Sequence, residues 1–181
     1  MRALRLSDSD DQRALRIVRA EAGDLDVIID IREDAARWLS ERGIEQWPVG
    51  TFHRQSSYIA QRIAAGEEYL SNFEGSVVGT LRLQWSDPDM WPGIENDAGY
   101  VHGFAVRREW AGRLIGRRLL QWAEMQIAAA GRTYLRLDCV AHNKALCQYY
   151  ERAEFRSRGQ VESVWGKSRT LHQRFEKQVA R

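Results

Sequence analysis

Residues 101 to 106 form an apolar stretch that runs into a short basic loop, Arg107-Arg108-Glu109-Trp110-Ala111-Gly112-Arg113-Leu114-Ile115-Gly116. A helix beginning Arg117-Arg118-Leu119-Leu120 follows directly. A strand feeding a loop that opens a helix is suited to an anion. The first-turn N–H groups have no helical partner, and the positive end of the helix dipole points at whatever lies above the loop. With arginines flanking the loop and inside it, the guest this arrangement suits is a phosphate or pyrophosphate. Arg113, Arg117 and Arg118 are the best partners for it, Arg117 foremost because it enters the helix N-terminus. A second strand, Tyr134 to Val140, leads to Asn143-Lys144-Ala145-Leu146-Cys147-Gln148-Tyr149-Tyr150 and ends at Phe155. Asn143 stands where a helix N-cap is needed. His102 lies two residues before Phe104, and strict strand alternation puts it on the same face as Phe104 and Val106. An imidazole with an ordinary pKa near ~6.5 can take a proton at neutral pH. Glu95 and Asp97, where that strand begins, are the other candidate bases, while His53, His142 and His172 have no comparable context.

This order of features resembles the GNAT superfamily of N-acetyltransferases, which hold acetyl-coenzyme A on a Gln/Arg-x-x-Gly-x-Gly/Ala loop between a strand ending in Val and a helix starting with paired Leu. Val106 and Leu119-Leu120 set the register, so the loop reads Ala111-Gly112-Arg113-Leu114-Ile115-Gly116. The family's Asn, its Tyr seven residues on and its Gly-Phe ending fall on Asn143, Tyr150 and Glu154-Phe155. Three positions depart from the pattern: Ala111 for Gln or Arg, Leu114 for the first glycine, and Glu154 for the glycine before Phe155. A leucine at the first glycine predicts a negative φ there, with Gly112 supplying the flexibility and Gly116 packing close to the coenzyme.

The resemblance implies an acetyl-CoA-dependent enzyme with no metal, acting by direct attack in a ternary complex. Its coenzyme would lie on Phe104, Ala105, Val106, Ala111, Gly112, Arg113, Leu114, Ile115, Gly116, Arg117, Asn143 and Tyr150. Tyr150 would be the general acid that protonates sulfur, and backbone N–H groups around Phe104 to Val106 would hold the oxyanion. His102 is the candidate base. Read from the residues alone, Tyr150 is equally an aromatic core position and His102 a structural strand histidine. Trp38, Trp47 and Trp85, with Glu95 and Asp97, lie in segments that the family places around its acceptor cleft. Aromatic walls with acids nearby suit a cationic primary amine; the alternative is that those tryptophans pack beneath long loops. A small-molecule amine is the expected acceptor. A protein N-terminus or lysine, or a non-catalytic acyl-CoA-binding role of the same fold, are the alternatives.

The elements that must position these groups follow from periodicity and breakers. Strands are predicted at 15–18, 69–73, 77–85, 101–106, 134–140, 155–161 and 169–179, and helices at 25–42, 55–65, 114–130 and 144–152. Glu74-Gly75 makes a hairpin turn. The expected architecture is α/β (α+β), a single-domain GNAT-like fold with a mixed sheet of about six to seven strands flanked by about four helices. Residues 13–181 form that domain, and 1–12 are a mobile lead-in. The resemblance further implies that two neighbouring strands splay after Val106 to admit the pantetheine arm.

Composition excludes several classes. The chain has 181 residues, 44% hydrophobic and 29% charged, enough for one domain with a real core. No apolar run approaches the ~20 residues of a membrane span. A formal net charge of +2 with dispersed arginines does not argue for nucleic acid. Cys139 and Cys147 are the two cysteines, which suits neither a disulfide scaffold nor a zinc site and fits a cytoplasmic location. Exposed edge strands at the C-terminus are compatible with a homodimer.

Overall fold

The computed structural model describes residues 14–94, 97–165 and 168–180. The lead-in expected at 1–12, and Glu95, lie outside them. Seven strands form one sheet in the order β1-β2-β3-β4-β5-β7-β6. They are β1 Arg16–Arg19, β2 Glu68–Phe73, β3 Ser76–Gln84, β4 Ala98–Val106, β5 Tyr134–Val140, β6 Arg156–Trp165 and β7 Ser168–Gln178. The helices are α1 Leu25–Ser40, α2 Thr51–Arg54, α3 Ser56–Ala64, α4 Ile115–Ala129 and α5 Lys144–Arg152. All neighbouring strands pair antiparallel except β4 and β5. The short α2 and two 3-10 turns, Ala22–Asp24 and Arg108–Trp110, were not expected; each is too brief to show a period.

Amphipathicity sorts the helices onto the two faces. Ile115, Leu119, Leu120, Ala123 and Ile127 bury one side of α4 against Val78, Leu83, Val101, Leu135 and Leu137. On the other face α1 and α3 bury Ile28, Ile31, Ala35, Ile59 and Ile63 with Leu70 and Ala105. These are the helical and strand periods that alternate layers require.

The parallel β4–β5 ladder is short, pairing Ala98 with Tyr134, Gly99 with Leu135 and Tyr100 with Arg136. Beyond Tyr100 the register ends while both strands continue. The strands therefore part six residues earlier than the expected point after Val106. A second irregularity lies on the other edge of β4. Arg82 pairs with His102 and Thr80 with Ala105, so β4 carries one extra residue, a bulge centred on Gly103 at φ +54°. The bulge corrects the predicted facing of β4. An inserted residue resets the alternation, so His102 and Ala105 point toward α1, while Phe104 and Val106 join the α4 side.

Leu114 corrects another expectation. Its φ is +60°, left-handed rather than negative, and its side chain is 65% exposed. The backbone keeps the turn of the family glycine and carries the leucine outward into solvent. Glu154, at the other departed glycine, behaves alike, with φ +69° just past the end of α5. A left-handed conformation costs a residue with a Cβ about 1–2 kcal/mol. Leu114→Gly and Glu154→Gly should therefore each raise stability by about 0.5–1 kcal/mol after the added chain entropy of glycine, read as a higher denaturation midpoint with unchanged m-value.

Candidate functional site

The site is built where β4 and β5 diverge. Val101 to Val106 and Leu137 to Val140 present edges that their shared ladder no longer pairs. The bulge is held open from the α1 side by Arg32, which is 1% exposed. Its Nε donates to the Gly103 carbonyl at 3.0 Å, and its two terminal nitrogens donate to both carboxylate oxygens of the fully buried Glu68. A Cβ on Gly103 would lie 2.5 Å from that guanidinium, so this glycine is required by contact as well as by φ.

Downstream of β4 the basic loop is anchored before it turns. Arg107 donates to Val77 O at 3.1 Å and pairs with Asp30 at 2.7 Å, and the Arg108 N–H donates to Asp34 at 3.1 Å. These two arginines hold the loop on α1 and β3. Gly112 at φ +81° and Leu114 at φ +60° flank Arg113, whose φ is not positive. Such alternation of handed conformations turns successive N–H groups to one side, an anion-binding nest. The N–H groups from Gly112 to Arg117 have no acceptor among the described residues, and the first helical bond here is Arg118 N–H to Leu114 O. Arg117 and Arg118 are exposed. Arg113 is drawn toward the hairpin, stacking over Trp110 at 4.6 Å and 3.7 Å from Glu74. Ala111 and Ile115 flank the nest, exposed and buried respectively. A Cβ on Gly116 would stand 3.2 Å from both Phe104 Cζ and Tyr149 Oη. This glycine therefore lets the helix start against the end of β4 and the phenol of Tyr149.

On α5, Asn143 caps the helix: its Oδ1 accepts from Leu146 N–H at 3.2 Å. Its Nδ2 donates to Gln46 Oε1 at 3.3 Å, and that oxygen also accepts from Val140 N–H at 3.1 Å. Gln46 thus pins the loop after α1 onto the end of β5. Tyr150 is 4% exposed, its ring packed on Phe155, Phe175 and Tyr149. Burial raises its pKa well above the ordinary tyrosine value, with Cys139, Asp138, Tyr149 and Cys147 adding to it. Tyr149 is raised by burial as well, opposed by Arg117. Cys139 and Cys147 are free, with sulfurs 3.6 Å apart.

His102, on the α1 face, has a carboxylate near each ring nitrogen: Asp87 Oδ2 is 3.3 Å from Nε2 and Asp138 Oδ1 is 4.0 Å from Nδ1. His172, which offered no signal in the sequence, joins them by bonding Asp138 Oδ2 through Nδ1 at 2.7 Å. Alternation along β5 sets Asp138 opposite the buried Leu137 and Cys139, and its convergence with His172 depends on the β5–β7 pairing.

The other acceptor candidates are dispersed. Trp47 sits beside Gln46 and packs edge-on against Phe52. Trp38 is stacked between Arg42 at 4.1 Å and Arg108 at 3.8 Å. Trp85 is 38% exposed with Arg132 above it at 5.9 Å, where β4 begins and α4 ends. Asp97, at that same closed end, pairs with Arg136 at 3.1 Å. Neither Trp85 nor Asp97 is brought to the opening between the strands.

Residues 32–155 match the acetyltransferase (GNAT) family. Among curated proteins the chain is similar to the uncharacterized N-acetyltransferase YesJ of Bacillus subtilis (strain 168), 32% identical over 143 residues, covering 75% of this chain and 78% of the relative. Its fold is similar to that of a GNAT family acetyltransferase from Listeria monocytogenes 4b F2365, at 29% identity and a TM-score of 0.69, covering 91% of this chain and 94% of that one. It is also similar to yncA of Salmonella typhimurium, solved with its cofactor acetyl-CoA, at 16% identity and a TM-score of 0.64, covering 93% and 95%.

Proposed function

Because the chain belongs to the acetyltransferase (GNAT) family, we propose that this acetyl-CoA-dependent enzyme acetylates the primary amine of a small molecule by direct attack in a ternary complex. The observation that carries this reading is the early end of the β4–β5 ladder next to a bulge and a nest. The diphosphate of the coenzyme takes the N–H groups from Gly112 to Arg117, with Arg117 and Arg118 at hand, and the pantetheine arm enters between the parted strands. Backbone N–H groups of β4 beyond Gly103 stabilise the oxyanion as the carbonyl is attacked. Tyr150, kept protonated by its burial, donates to the sulfur as the C–S bond breaks. His102 takes the proton of the amine from the opposite face.

The pinned loop at Gln46 supports a small acceptor, because it crosses the end of β5 where an extended peptide would need an open groove. The test is thiol release from acetyl-CoA against a panel of primary amines and short peptides, with coenzyme binding followed by calorimetry. Turnover with small amines and little with peptides is expected. Preference for peptide N-termini or lysines would transfer the assignment to a protein acceptor. Coenzyme uptake with no thiol release from any acceptor would leave an acyl-CoA-binding role.

A further inference from the structure

A carboxylate oxygen without a donor stands beside His102. Among the described residues Asp87 Oδ2 is buried and has no hydrogen-bond partner, in a side chain only 10% exposed. An acceptor stranded in this way costs stability until a donor or positive charge reaches it. Across the ring, Asp138 has one oxygen committed and one not. Its Oδ2 accepts from His172 Nδ1, and His172 Nε2 meets Ser163 Oγ at 3.0 Å, while Oδ1 faces His102 Nδ1 at 4.0 Å. That spacing is too long for a direct hydrogen bond, yet one nitrogen between the two atoms reaches both at an ordinary ~2.8–2.9 Å. The opening follows from the fold, since His102 and Asp138 each lie two residues past the last β4–β5 pair. The neighbouring cations are engaged elsewhere. Arg82, across from His102, bonds Gln84 and lies 3.8 Å from Glu68; Arg174, across from Asp138, donates to the carbonyls of Met90 and Arg158.

We propose that this opening is the seat of the acceptor's ammonium group, with the nitrogen docked between Asp138 Oδ1 and His102 Nδ1. The identity of the reaction rests on the reading above; the seat itself rests on this geometry. The ammonium gives one proton to His102 Nδ1 and stays hydrogen-bonded to Asp138 as a neutral amine. The neutral imidazole that accepts this proton already carries its other hydrogen on Nε2, so the step sets a cation 3.3 Å from Asp87 Oδ2 and partly offsets that buried carboxylate. The amine lone pair forms the N–C bond, and the C–S bond breaks with its electrons on sulfur. The second proton lost by nitrogen balances the one sulfur takes up, so each turnover releases a single proton, the one carried by His102. His172 is a positioning residue that fixes which oxygen of Asp138 faces the opening.

The test is an NMR titration of the imidazole signals of the full chain with n-butylammonium chloride, both free and loaded with coenzyme A, using n-butanol as the uncharged control. Saturable shifts of the His102 signals by the ammonium and none by the alcohol are expected. Asp138→Asn should weaken that response at least ~10-fold, in line with losing a charge-assisted bond. His172→Ala should weaken it too, and His172→Asn, which restores a donor toward Asp138, should recover it. The seat is overturned by an absent His102 response in both states, by equal affinity in Asp138→Asn, or by a response to Zn²⁺ without one to ammonium. Failure of coenzyme A to load would count against the coenzyme reading alone, because titration of the free protein still judges the seat.

Discussion

Tyr150→Phe is expected to lower the rate of acetyl transfer by about 10²–10³-fold while leaving acetyl-CoA affinity nearly unchanged. The ring is held among Phe155, Phe175 and Tyr149, and a phenylalanine keeps those contacts. What the substitution removes is a proton donor that burial keeps neutral far above physiological pH. A departing thiolate gains from such a donor only as charge builds on sulfur, so the loss falls on turnover rather than on ground-state binding. The measurement pairs steady-state thiol release with calorimetric coenzyme affinity. Equal losses in both would make Tyr150 a packing residue and return the proton to another source.

Arg32→Met should lower stability by about 3–5 kcal/mol, because Glu68 is left buried with Arg82, 3.8 Å away, as its remaining cationic neighbour. For a chain of this length that is a fall of roughly 10 °C in Tm. The double variant Arg32→Met/Glu68→Leu removes both charges, and most of the stability should return, since replacing a buried pair by apolar residues is often neutral. Activity should not return with it. The Gly103 carbonyl would still lack the 3.0 Å donor that fixes the bulge, and the backbone beyond it carries the proposed oxyanion contacts. Thermal melts of the three variants beside their turnover separate the two roles. Full recovery of both would show that the clamp serves stability alone.

Most of the architecture was legible from the chain, and the failures share a physical cause. Helices such as α4 announce themselves because Leu119, Leu120, Ala123 and Ile127 repeat at one period over many residues. The seven strands likewise emerge from alternation between glycine turns. A single-residue event has no period. The bulge at Gly103 reversed the facing of Phe104 and Val106 relative to His102, and nothing within the strand distinguishes a bulge glycine from an ordinary one. Leu114 and Glu154 show the complementary limit, since surrounding structure can hold a side-chain-bearing residue in a glycine's conformation. At the site, the cap at Asn143 and the turn after β4 were readable because their spacing is local, whereas a catalytic part for Tyr150 was only what the family resemblance implied. Asp138 meets His172, and Gln46 meets Val140, only through pairings 34 and 94 residues apart in sequence.

The bulge also separates traffic. One strand turns a histidine to one side of the sheet and its following apolar residues to the other, so on the proposed reading acceptor and coenzyme would arrive through different doors. Saturating one entrance need not obstruct the other, and neither reactant has to leave before its counterpart docks. A catalyst arranged in this way would have no compulsory order of arrival, and its flux would respond to both supplies at once.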